Sequence, residues 1–233
     1  MIPSDYVWFV WSSVFLLPWV ALYVAFPNHR RTMRWSSLFT APFGLTEPLF
    51  VPEYWSPPSL FNLALRTGFD IESLIFCFAI GGVGAVLVNV LTRRAPAEVP
   101  EHERHGSRHR FHRLVLGAPF LIFVLLLPLG WNPIYPGIVA MLAGGALTVW
   151  CRPDLAGNTG LGGSIFLVYY VVFLTGLELT APQGYIDEVW NLAALSGARL
   201  GFMPLEEILF AFGFGTYWSG VYEHFTWKRP VGE

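Results

Sequence analysis

The stretch Arg199–Gly215, RLGFMPLEEILFAFGFG, has a counterpart earlier in the chain, Arg66–Gly82, RTGFDIESLIFCFAIGG. Each opens with Arg-x-Gly-Phe. After one inserted residue in the later copy, Ile71-Glu72 aligns with Leu205-Glu206, Phe76 with Phe210, Phe78 with Phe212 and Gly81 with Gly215. Upstream, Glu53-Tyr-Trp55 faces Glu188-Val-Trp190, and Gly44-Leu-Thr-Glu-Pro48 resembles Gly176-Leu-Glu-Leu179. Self-similarity over such a length points to a duplicated structural unit. The alternative is chance likeness between apolar helices, which the shared Arg-x-Gly-Phe and the aligned glutamate make the weaker reading.

Composition says what kind of unit is repeated. The chain has 233 residues, 54% of them hydrophobic, 17% aromatic and 13% charged. A soluble domain carries roughly a quarter charged residues. Several apolar runs reach about 18 to 22 residues, the length of a bilayer-spanning helix. They are too long and too continuous for barrel strands. Seven spans are expected: Tyr6–Phe26, Trp35–Val51, Ile71–Leu91, Leu114–Leu129, Pro133–Trp150, Leu161–Thr180 and Leu205–Phe225. No basic segment precedes the first and no small-residue cleavage site follows it, so it reads as a retained helix. The second and fourth are short and proline-rich, and so expected to be tilted or broken.

Basic residues set the orientation. With the N-terminus outside, 12 of the 14 basic residues lie inside, and only Arg66 and Arg199 lie outside. The repeat reaches the same count. Three spans, a linking span and three more give a 3+1+3 all-α polytopic protein whose halves are parallel copies. The first repeat is residues 1–92, the basic loop and linking helix are 93–132, and the second repeat is 133–233.

The basic loop, Arg93–Arg113, carries His102, His105, His109 and His112. Their spacing matches no closed zinc pattern, so the loop is expected to be solvated beside anionic lipid, with no metal. Cys77 and Cys151 read as buried small residues with no disulfide framework. The net charge of −2 gives no indication of a nucleic-acid partner.

Depth then sorts the acids. Glu47 and Glu178 fall near the outward ends of their spans, while Glu72, Glu206 and Glu207 begin theirs. Five glutamates are expected at one level between the halves. An ionisable group in the membrane is a functional candidate by default. The bland alternative is real for the helix starts. Pro204 suits a first turn, carboxylates there favour the helix dipole, and Asp70 is a ready N-cap. It does not cover Glu47 and Glu178 at helix C-termini, whose expected partners are Arg66 and Arg199. A carboxyl that stays protonated in a dry site can act as an acid, and an ionised neighbour as a base. Glycines in the third and seventh spans read as close-packing positions. Phe210, Trp55 and Trp190 read as packing that can also line a slot for a cationic species. No Ser/His or Cys/His nucleophile arrangement, phosphate loop or dinucleotide fingerprint is present.

At Pro204-Leu-Glu-Glu207, followed by Ile-Leu-Phe-Ala-Phe, the chain resembles the integral-membrane lycopene cyclases of the heterodimeric or fused type, whose motif is Pro-x-Glu-Glu before a Phe-rich helix. The doubled three-span unit fits the fused form. The resemblance implies redox-neutral, acid-catalysed β-ring closure on a linear carotenoid, an isomerisation without cofactor, in a multi-pass protein of the cytoplasmic (inner) membrane. It implies Glu206 as the acid, with Glu207 or Glu72 sharing its proton. Membrane lipid and the carotenoid or another isoprenoid are the implied partners, and a homo-oligomer or a larger membrane complex stays open. The first half departs from the motif: Asp70-Ile-Glu-Ser73 lacks the proline and the second glutamate. Two rivals follow. One is a non-catalytic member of the fold that binds an isoprenoid or serves a membrane complex. The other, a proton-coupled transporter, would place its acids at the midplane rather than near one face.

Overall fold

The computed structural model describes residues 1–232. Helix forms at each of the seven expected positions. They are α1 (Ser4–Ala25), α2 (Arg30–Thr40), α3 (Ile71–Leu91), α4 (His112–Leu126), α5 (Ile134–Cys151), α6 (Ala156–Thr180) and α7 (Leu205–Thr226). Among the described residues, five segments are long and apolar enough to cross a membrane. These are α1, α3, α5, and α4 and α6 with their flanking turns, Ser107–Leu129 and Pro153–Thr180.

The other two fall short of the expected seven for different reasons. α2 has 11 residues and tightens into a 3-10 stretch, Ala41–Leu49, around Pro42 and Pro48. Proline lacks the N–H that an α-helix needs there. α7 has 22 residues, but three glutamates, a histidine and several glycines dilute its apolarity. α1 is interrupted at Phe15, where Pro18 cannot donate to the carbonyl of Val14. Outward faces of the long helices stay apolar: Leu17, Leu125, Val168 and Val172 are all about two-thirds exposed. Such stripes are what lipid, not water, would cover.

α7 is the hub. It packs on α6, α5 and α3, while α3 also holds α2 and the Ala41–Leu49 turn. The α6–α7 crossing is made backbone to backbone. A Cβ on Gly162 would strike the carbonyl oxygen of Gly215, and one on Gly215 would strike that of Gly162. Small residues permit this approach. Gly162→Val is therefore expected to cost about 1–3 kcal/mol, the range for overpacking, read as a lower unfolding midpoint in detergent. An unchanged midpoint would show that the helices can separate freely there.

At the far end of α7, polar groups replace glycine. Asn89 Nδ2 donates to Glu223 Oε1 at 2.9 Å, and Asn158 Nδ2 to Asn89 Oδ1 at 2.8 Å. Ser219 Oγ closes the set on the carbonyl of Asn158 at 2.9 Å. These side chains join α3, α6 and α7 and are at most 1% exposed.

The basic loop is not simply a solvated strip. Arg94–Glu98 pairs antiparallel with the tail, Lys228–Gly232. Arg229 grips Glu103 with both nitrogens, at 3.0 and 3.1 Å. His102 and His105 are exposed, but His112 is buried. Burial follows because α4 begins at His112, against the end of α5 and beside Trp227. Both cysteines are free; Cys151 is buried and Cys77 half-buried.

Candidate active site

The adjacent glutamates that open α7 point about 100° apart, as neighbours on a helix must. Their surroundings differ accordingly. Glu206 Oε1 accepts from the backbone N–H of Ser196 at 2.9 Å and from the Tyr135 hydroxyl at 2.7 Å. Glu72 does the same in the first half, taking the Leu60 N–H at 2.7 Å. Each thus secures the loop before its helix. Neither lines the cavity described below.

Glu207 faces inward and takes three donors. Its Oε1 accepts from the Tyr54 hydroxyl and from Trp190 Nε1 at 2.7 Å, and its Oε2 accepts from the Tyr170 hydroxyl at 2.6 Å. Tyr54 comes from the first-half loop, Tyr170 from α6 and Trp190 from the second-half loop. A carboxylate is the one side chain that can only accept, and three donors satisfy it without a counter-cation. Glu207 is 3% exposed.

This carboxyl lies on the wall of a cavity of about 370 Å³. The rest of the wall is mainly aromatic, from Trp8, Trp11 and Phe15 of α1 to Phe210, Phe214 and Trp218 of α7. Phe120 of α4 also lines it and is 39% exposed, so the wall reaches the molecular surface. A mostly apolar pocket with a few placed polar groups is the usual form of a small-molecule site.

Glu47 is the second carboxyl on the wall. It accepts from the Asp70 N–H at 3.1 Å and the Ser73 hydroxyl at 3.2 Å. Asp70 caps α3 as expected, accepting from the Ser73 N–H at 2.5 Å. Glu47 takes the N–H of the residue whose own carboxyl caps α3, so the two acids meet at one corner of the fold. Two like charges at such a corner oppose each other.

The expected convergence of five glutamates is therefore reduced to two on the cavity. Glu178 is half-buried and lies off the wall, because Tyr170, Phe173, Leu174 and Leu177 occupy the inward stripe of α6. The expected arginine partners also differ. Arg199 pairs with Asp187 at 2.7 Å. Arg66 is exposed, and Glu47 is satisfied by the start of α3 instead. Phe210, Trp55 and Trp190 do line the cavity. Tyr54, Tyr135 and Tyr170 were missed in the sequence. Tyr54 lies inside the aligned Glu-x-Trp triplet, the single signal that pointed toward it.

Residues 132–225 match the family model described as lycopene cyclase. This segment, 94 of the 233 residues, is similar to the lycopene cyclase domain family. The family supports a carotenoid cyclase-like function. The matched segment comprises α5, α6 and α7 and supplies Glu206, Glu207, Tyr170 and Trp190; Glu47, Asp70 and Tyr54 are contributed from outside it. No curated protein and no solved structure matches the chain.

Proposed function

We propose that the chain is a membrane-embedded carotenoid cyclase that closes a β-ring on the end of lycopene without net redox change. The observation that carries this reading is Glu207, held by three donors on an aromatic cavity wall that also bears Glu47.

In this reading the Glu47–Asp70 pair supplies a proton to the terminal double bond, leaving a tertiary cation. An internal double bond attacks it, forming the ring C–C bond and moving the positive charge into the ring. Loss of a ring proton to Glu207 restores neutrality, so product and substrate are isomers. Glu207 then releases that proton to water and the Glu47–Asp70 pair takes one up from water, which resets both groups before the next turnover. The ring faces of Trp55, Trp190 and Phe210 stabilise the cation. Glu206 and Glu72 act as positioning residues through the loops they hold. A pocket of about 370 Å³ takes an end group, with the polyene leaving past Phe120 toward lipid.

The same reading includes seven spans as two parallel repeats, 1–92 and 133–233, with the N-terminus outside in the cytoplasmic membrane. Contacts between aligned residues support a pseudo-two-fold axis. Trp55 forms a β-bridge with Trp190, and Asn89 bonds to Glu223, its equivalent one repeat on. Glu72 and Glu206, also aligned, perform the same loop-holding task.

Expression in bacteria that accumulate lycopene, followed by chromatography of the pigments, tests the proposal. Products with one or two β-rings are expected. Unchanged lycopene, with the protein present in the membrane, would favour a non-catalytic isoprenoid binder. The observation on that side is Ser73, which stands where the second half has Glu207.

A further inference from the structure

The opposite end of the bundle holds a different chemistry. Tyr135, near the start of α5, touches Glu206, whereas Cys151 ends that helix, roughly 24 Å further along it. Cys151 Sγ lies 3.6 Å from His112 Nδ1 and 3.7 Å from His109 Nδ1. One donor atom from each of the three residues falls within 4.8 Å of the other two.

We propose that His109, His112 and Cys151 bind one Zn²⁺ ion, which clamps the start of α4 to the end of α5. Zinc–sulfur and zinc–nitrogen bonds of about 2.3 and 2.0 Å place sulfur and nitrogen about 3.5 Å apart on a tetrahedron. The observed separations are already close to that edge. Thiolate with imidazole is a donor set suited to zinc.

The surroundings support a built site. Cys151 is fully buried, while His109 is half-buried and leaves a path for the ion. The His112 ring stacks on Trp227 with centroids 4.1 Å apart, and the His109 ring meets the same indole edge-on at 5.0 Å. Both imidazoles are thereby oriented by packing. Arg152 follows Cys151, but Asp154 takes its guanidinium at 2.6 and 2.8 Å, which offsets that charge. His224 stands beside the cluster, its ring 4.7 Å from that of His112. Its Nδ1 meets the Thr148 hydroxyl at 3.3 Å, and its Nε2 is buried without a partner. A hydroxyl on one imidazole nitrogen with the other free is how metal-bound histidines are commonly oriented. We therefore assign His224 or water to the fourth position. The chain separation explains why spacing alone missed the cluster: residues 109 and 151 meet only because α4 and α5 pack antiparallel.

The test uses full-length protein in detergent, purified without a histidine tag and titrated with Co²⁺ and then Zn²⁺. One equivalent of Co²⁺ is expected to produce a thiolate-to-cobalt charge-transfer band, which Zn²⁺ abolishes. Cys151→Ser should remove the band, and His112→Gln should weaken binding roughly tenfold or more. Cys77→Ser should leave both unchanged. Absence of the band in the unsubstituted protein, or its persistence in Cys151→Ser, overturns the proposal. If Cys151→Ser does not insert, His109→Gln, at a half-buried loop position, serves in its place. Binding at full strength in that variant overturns the proposal equally.

Discussion

Glu207→Gln is expected to lower ring closure by roughly 10²–10⁴-fold, the range for losing a positioned acid or base, while Glu206→Gln keeps most of it. The substitution preserves shape but removes the acceptor that Tyr54, Tyr170 and Trp190 all address. The new amide has one oxygen for three donors, and its NH₂ group opposes one of them. Glu206 is different in kind. Its acceptors' role toward Ser196 N–H and Tyr135 is retained in large part by an amide oxygen, so the loop should stay in place. The check is β-ring product per unit of membrane-inserted protein for both variants in the lycopene-accumulating host. A reversed order, with Glu206→Gln inactive and Glu207→Gln active, would return the acid role to Glu206, as the motif resemblance implies.

Glu47→Gln is expected to reduce the same rate by at least roughly 10²-fold. The amide oxygen still accepts from the Asp70 N–H, and its NH₂ can donate to the Ser73 hydroxyl, so the start of α3 should survive. What it lacks is an ionisable proton to share with Asp70. Asp70→Asn separates the two roles of that corner. Asparagine still caps a helix, so this variant should fold normally and turn over at an intermediate rate. Product formation, measured beside the unfolding midpoint of each variant, distinguishes lost chemistry from lost structure. Full activity in Glu47→Gln, with the protein intact, would mean that the proton arrives by another route.

The two variants lie in different halves of the chain, and the family match covers only the second. The first half departs from the motif at Ser73, yet Ser73 is where Glu47 enters the cavity wall. The carboxyl missing from the start of α3 is in this sense supplied from the Ala41–Leu49 turn. A reading confined to Pro-x-Glu-Glu sees a degenerate copy there, whereas the folded chain presents one carboxyl from each half.

Much of this protein was legible in the order of its residues. Apolar runs place the helices because a segment long enough and greasy enough must satisfy its backbone internally. Asp70 could be read as a cap because the bond it makes is local. The doubled motif pointed to Glu206, Trp55 and Trp190 because aligned positions are compared within the sequence itself, while Glu207 came only from the Pro-x-Glu-Glu pair beside it. Tertiary structure decided which of two adjacent carboxyls faces the cavity, since that depends on how α7 is rotated against its neighbours. It also decided that Tyr54 and Tyr170 converge on Glu207 across separations of 153 and 37 residues, that Glu178 lies off the wall, and that His109 and His112 meet Cys151. Hydrophobic period and length are one-dimensional properties, but the direction of a polar side chain inside a bundle is set by packing between helices, which the sequence records only jointly.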